Sequence, residues 1–250
     1  MIDTHTHISV NDYDDIDAVI KRAQALGVNK LIVSGYDRDS IKESLDIASN
    51  YDNVYVTIGF HPDEAKKITS NDLNWLKKTI MSNNKVVGIG EIGLDYYYEK
   101  DSKPQQIVLF EKQLELAEEL DMPIVVHTRE ATADTINTIK KHKIRGVIHC
   151  FSGSLETANE YIKLGFLLGI GGVLTFKNSR LAETLKHISM NNLVLETDAP
   201  YLAPVPYRGK KNEPAYMIET AKFLANVKNL SVEEVDQITT KNAIKLFDLK

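Results

Sequence analysis

Val86-Val87-Gly88-Ile89-Gly90-Glu91-Ile92-Gly93-Leu94-Asp95 is the stretch on which the fold turns. So continuous a run of Val and Ile suits a strand covered on both faces, as in a parallel sheet. Glu91 lies inside that apolar run, and a buried carboxylate is costly unless it is paired or binds a metal. Asp95 is more loop-like and either orients a ligand or caps a turn. Similar apolar runs lie on both sides. Upstream are Met1–Thr6, Lys30–Ser34 and Val54–Ile58; downstream are Ile124–His127, Val147–Cys150, Phe166–Ile170 and Leu193–Glu196. With Val86–Ile92 these make eight predicted strands.

The segments between them carry apolar residues at helical spacing: Asp15–Ala25, Ser40–Ala48, Leu73–Met81, Gln105–Leu120, Ala133–Lys141 and Leu155–Leu164. Pro104 suits the start of the fourth helix. Met217–Val227 reads as a further helix, and Ser231 with Glu234 forms a capping-box pattern opening a last one toward Phe247. Eight strand–helix units predict an α/β fold, a TIM-like (β/α)8 barrel spanning residues 1–250 as one domain, with an open doubly wound sheet as the alternative. The seventh unit is the weakest, with Gly171-Gly172 after its strand and only a short helix near Arg180–His187.

Composition narrows the function. The chain has 250 residues, a net charge of −5, and 43% hydrophobic and 26% charged residues, which is ordinary for a globular protein. That charge argues against a general duplex-DNA coating protein but not against a nucleic-acid enzyme with a locally basic mouth. The single cysteine, Cys150, excludes an intrachain disulfide and a Cys-rich zinc module, and it reads as buried and inert beside His149. No run of about 18 apolar residues predicts a membrane span. With no leader-like segment before the first motif, the expectation is a reduced, cytoplasmic protein.

Five of the seven histidines, His5, His7, His61, His127 and His149, fall at or just after a predicted strand end; His142 and His187 lie near helix ends. In a barrel those strand ends converge on one mouth. His5 and His7 share a strand face because the period is 2. Asp198 follows the apolar run of the eighth strand, which neighbours the first, so it approaches His5 and His7. It suits a ligand or a water-orienting base, and Glu196 a supporting partner. His5, His7, Glu91, His127, His149 and Asp198 are too many ligands for one open tetrahedral ion and suit two, with Glu91 bridging. The imidazole–carboxylate mixture favours zinc, manganese, nickel or iron, with magnesium also compatible.

Cations follow the strands too: Arg129, and Arg208, Lys210 and Lys211 in the loop after Asp198. In an acidic protein these suggest an anionic substrate, with Arg129 and Arg208 suited to phosphate. His61 either donates to the same anion or caps a turn. Tyr96, Tyr97, Tyr98 and Tyr201 either stack on bases or pack loops.

Taken together, these motifs resemble the TatD family of metal-dependent deoxyribonucleases, within the amidohydrolase-like barrels. The resemblance rests on Asp3-Thr4-His5-Thr6-His7, Gly59-Phe60-His61-Pro62, Gly88 to Tyr96, His127-Thr128-Arg129, His149 to Gly153, Glu196 to Leu202 and Arg208 to Pro214, in order and nearly end to end. It implies that His5, His7, Glu91 and Asp198 hold one ion while Glu91, His127 and His149 hold the other. It also implies hydrolysis of DNA phosphodiesters, in particular a 3′–5′ exonuclease acting on single-stranded ends. Two alternatives remain open at this point: a metal-dependent hydrolase of an amide, ester or lactone in a small anionic substrate, and a metal-bound adaptor with vestigial catalysis.

Overall fold

A computed structural model describes residues 1–98 and 100–250. The eight strands are β1 (Ile2–Thr6), β2 (Lys30–Gly35), β3 (Val54–Ile58), β4 (Val86–Asp95), β5 (Ile124–Arg129), β6 (Gly146–Ile148), β7 (Phe166–Ile170) and β8 (Leu193–Leu195). They lie in sequence order, each parallel to the next. The helices between and after them are α1 (Ile16–Ala25), α2 (Arg38–Asn50), α3 (Ser70–Met81), α4 (Lys103–Leu120), α5 (Thr132–Ile139), α6 (Leu155–Lys163), α7 (Leu181–Lys186), α8 (Met217–Lys228) and α9 (Val232–Phe247). This is the expected (β/α)8 barrel. No helix among the described residues is long and apolar enough to cross a membrane.

Helix starts follow the sequence. Asp15 caps α1 by accepting from the Ala18 amide, Asp37 and Ser40 form a capping box on α2, and Ser231 with Glu234 forms the one on α9. The short α7 matches the weak seventh unit.

Strand ends differ from the sequence reading, and each difference places a side chain. β4 runs to Asp95, past the expected Ile92, because Asp95 still pairs with Arg129 of β5. β6 stops at Ile148 and β8 at Leu195, so His149, Cys150 and Glu196 sit in the exits and not in the strands.

The barrel closes between β8 and β1 through specific bonds. The Asp198 amide donates to the His5 carbonyl (2.9 Å), the His7 amide to the Ala199 carbonyl (2.6 Å) and the Thr4 hydroxyl to the Leu195 carbonyl (2.9 Å). Asp3 reinforces the seam, accepting from the Thr197 amide (3.0 Å) and hydroxyl (2.5 Å). Burial pushes that carboxyl up to about 8 against these bonds.

The opposite end is plugged. Each strand contributes one residue from near its start, Ile2, Ile32, Tyr55, Val87, Val125, Val147, Leu167 and Val194, to a layer packed against Leu246, Phe247 and Leu249 at the end of the chain. A separate and larger apolar core lies between strands and helices. Burying these side chains contributes roughly 1.5–3 kcal/mol each. With one end sealed, the polar residues collect at the C-terminal mouth.

Candidate metal centre

Glu91 is the hub of the mouth, buried and aimed between two nests of donors. Its Oε2 faces His7 Nε2 (3.4 Å) and His5 Nε2 (3.5 Å), and Asp198 Oδ1 lies 3.6 Å from each of those nitrogens. Its Oε1 faces His127 Nδ1 (2.8 Å), His149 Nε2 (3.0 Å) and, further off, His61 Nε2 (3.8 Å). All six residues expected at the site are therefore brought together, and His61 joins them.

The donor geometry fits divalent ions. His5 Nε2 and His7 Nε2 lie 3.1 Å apart, and His127 Nδ1 and His149 Nε2 3.2 Å apart. Two nitrogens held about 2.1 Å from one ion at an angle near 95–100° would be spaced in this way. Partners on the far side of two rings fix which nitrogen is free. His7 Nδ1 lies 3.1 Å from the Ser34 carbonyl, which only accepts, so Nδ1 carries the proton and Nε2 presents a lone pair. His127 Nε2 lies 3.0 Å from Asp95 Oδ2, which leaves Nδ1 for the site.

Asp95 performs both roles open to it in the sequence. Besides holding His127, its Oδ1 accepts from the amides of Tyr97 (2.8 Å) and Tyr98 (3.1 Å). Glu196 accepts from the Cys150 amide (2.5 Å) and lies 3.7 Å from His149 Nδ1. Its other oxygen and His149 Nδ1 have no hydrogen-bond partner although both are buried. Gly169 makes room for it, since a Cβ there would lie 2.1 Å from Glu196 Oε2. Asp198 adopts a left-handed conformation (φ 55°), uncommon outside Gly, Asn and Asp, and is held by backbone bonds on both sides.

The electrostatics are those of a shared carboxylate among imidazoles. Burial works against the charge on Glu91, but His149, His127 and His5 override it and hold the carboxyl well below its ordinary range. Burial also opposes a charged His149, yet Glu91 and Glu196 raise it well above 6.5. His127 is raised by Asp95 and Glu91 against the same penalty. His5 goes the other way, lowered to about 3 by burial and by the charge of His149, so it stays neutral. Burial lifts Asp198 to about 6, with His149 and His7 pulling against it.

Around this centre the expected substrate residues are less uniform. His61 caps the turn at Pro62–Glu64 through Nδ1 and turns Nε2 toward Glu91, so it does more than cap a turn. The Arg129 guanidinium lies over Tyr97 (4.0 Å to the ring centre) and Tyr98 (4.7 Å). Arg208 is tied into its own loop, over Phe176 (3.8 Å) and bonded to the Ala203 carbonyl (3.1 Å). Lys211 bonds the Asp12 carbonyl. Tyr96 is buried with its hydroxyl on Asp134, which removes it as a stacking surface, whereas Tyr201 is exposed near His7. Cys150 is half-buried and not fully buried as expected, and burial keeps its thiol protonated.

Residues whose role sequence reasoning missed are Asp3, which gave no signal beyond its place before His5, and His61 as a neighbour of Glu91. For His61 the signal was its position at a strand exit, shared with the other four histidines.

Comparison with known proteins places the chain in a family. Residues 2–248 match the family model described as TatD related DNase. The chain is 42% identical over 252 residues to the uncharacterized metal-dependent hydrolase YabD of Bacillus subtilis (strain 168), covering 99% of this chain and 98% of that protein. It is 35% identical to the uncharacterized metal-dependent hydrolase YcfH of Escherichia coli (strain K12), covering 100% and 96%. The crystal structure of YjjV, a TatD homologue from Escherichia coli K12, superposes with a TM-score of 0.93 at 30% identity, over 100% of this chain and 98% of that one.

Proposed function

The chain belongs to the TatD-related DNase family of metal-dependent hydrolases, and from that premise we propose that it cleaves phosphodiester bonds of DNA, working from single-stranded 3′ ends. The observation that carries the reading is Glu91, whose two oxygens each face a separate nest of imidazoles. In this reading His5, His7, Asp198 and Glu91 hold one divalent ion, and Glu91, His127 and His149 hold a second, drawn from zinc, manganese, magnesium or nickel. Bound there, such ions supply Lewis acidity toward a phosphoryl oxygen and lower the pKa of a water molecule toward neutrality.

The chain's own groups do the rest. Asp198, at the seam of β8 and β1, orients the attacking water through its carboxylate and accepts its proton. Glu91 fixes the spacing of the two nests. Arg129, packed against the rings of Tyr97 and Tyr98, binds phosphate through its guanidinium N–H groups. His61 serves the same anion from the β3 exit, and Arg208 does so with the N–H groups not bonded to the Ala203 carbonyl. The sealed far end of the barrel admits substrate from the mouth only.

Removal and return of metal tests the reading. After chelation the protein is expected to keep its circular dichroism spectrum, because the apolar cores do not include the site, and to lose cleavage of single-stranded oligonucleotides. Activity should return with added zinc, manganese, magnesium or nickel. Cleavage that survives thorough chelation contradicts it.

A further inference from the structure

Tyr97 and Tyr98 lie two and three residues past the end of β4 and are 47% and 66% exposed, so their rings present aromatic surface to solvent. Their rings meet edge to face, with centres 4.8 Å apart and planes at 88°. The Arg129 guanidinium fills the corner between them. The pair is not a loose loop, because Asp95 Oδ1 holds the amides of both residues. The same carboxylate, through Oδ2, holds His127. One side chain thus sets the aromatic pair in fixed register with the metal centre.

We propose that Tyr97, Tyr98 and Arg129 form a stacking subsite for an unpaired nucleobase next to the scissile phosphate. This rests on the nuclease reading above and adds to it which part of the substrate is recognised. An exposed aromatic face stacks on any base, so the subsite selects single strands without selecting sequence. A duplex keeps its bases stacked on one another and has none to offer. Because Asp95 already orders the turn, little conformational entropy is lost on docking. Arg129 divides its work: it packs against both rings, and its N–H groups reach the phosphate. Tyr96 takes no part, being buried on Asp134.

The test compares substrates on one protein, so that general damage to a variant cancels. The zinc-loaded enzyme is given a short single-stranded oligothymidylate and the same strand with abasic residues in its last two 3′ positions. Wild type is expected to favour the intact strand by about tenfold or more in kcat/KM, mostly through KM. The Tyr97→Ala/Tyr98→Ala double variant should reduce that preference to near onefold, and Tyr97→Phe/Tyr98→Phe, which keeps the rings, should restore it. An unchanged preference in the alanine variant overturns the subsite while leaving the nuclease intact. Equilibrium binding of the two strands to zinc-loaded Asp198→Asn is measured in parallel. If wild type cleaves neither strand but Asp198→Asn prefers the strand with bases and adding the alanine pair to it abolishes that preference, the subsite stands and the nuclease reading falls. If neither cleavage by wild type nor binding to Asp198→Asn distinguishes the strands, the subsite is wrong.

Discussion

Single side chains at this mouth are fixed by what stands behind them. Asp95 shows how far that goes, since an acceptor-only group is required on both of its oxygens. Asp95→Asn keeps the shape but offers one oxygen and one N–H donor group. With the oxygen on the turn amides, the donor faces His127 Nε2, and the ring must move its proton to Nδ1, the atom that faces Glu91. The expected result is a 10–100-fold loss of metal affinity or activity with the fold retained. Metal analysis together with titration calorimetry checks it, and unchanged affinity contradicts it. The same scale sets the pH dependence. Protons and divalent ions compete for these atoms. His149 is held well above 6.5 and Asp198 at about 6, so the metal-free site carries protons that binding must release. As pH falls through this range the proton gains, and apparent metal affinity should drop by about tenfold per unit for each proton displaced. It should rise again toward neutrality. Calorimetry in buffers of different ionisation enthalpy reads the released protons directly, and an affinity flat from about pH 5 to 7 refutes the assignment.

At the scale of elements, the barrel strands place these side chains by close approach of backbones. Gly93 is the sharpest case. It has φ 142°, and a Cβ built there would lie 2.0 Å from the His127 carbonyl oxygen. Neither the dihedral nor the space suits alanine. Gly93→Ala should force β4 from β5 and move His127, costing about 3 kcal/mol or more. For a chain of this size that is a fall in Tm of roughly 6–12 °C, with activity lost beforehand. A variant that melts with wild type would show that the β4–β5 register matters less than the pairing of Gly93 with His127 implies. The elements were largely legible because both signals are local. Continuous Val/Ile runs marked the strands, and Pro104 and the Ser231–Glu234 pattern marked helix starts. Strand ends were less legible, since β4 extends to Asp95 only through pairing with a neighbour 34 residues away, at Arg129.

For the whole molecule, a net charge of −5 coexists with a mouth that gathers His, Glu and Asp from six strands or their exits, with Arg129 at the end of one of those strands. Topology performs that gathering, and topology is why residues 5, 91, 127, 149 and 198 could be named together from sequence: parallel strands in a barrel send their exits to one end. What stayed hidden needed three-dimensional neighbours. The turn of His61 Nε2 toward Glu91, the Asp3 clamp across the seam and the plug formed by Phe247 all join segments with no shared sequence pattern. The arginines show the converse, since a cation in a loop reads alike whether it is free or tied down, as Arg208 is to Ala203. The central claim, that the Glu91-centred site hydrolyses single-stranded DNA with Asp198 managing the water, meets its most direct test in one assay. Oligonucleotides labelled in turn at each end are incubated with wild type and Asp198→Asn, purified identically, with magnesium, manganese or zinc. The account predicts metal-dependent shortening from the 3′ end by wild type, and a loss of about 100-fold or more in the variant at unchanged fold. No cleavage by fully metal-loaded wild type, or equal cleavage by both proteins, contradicts it.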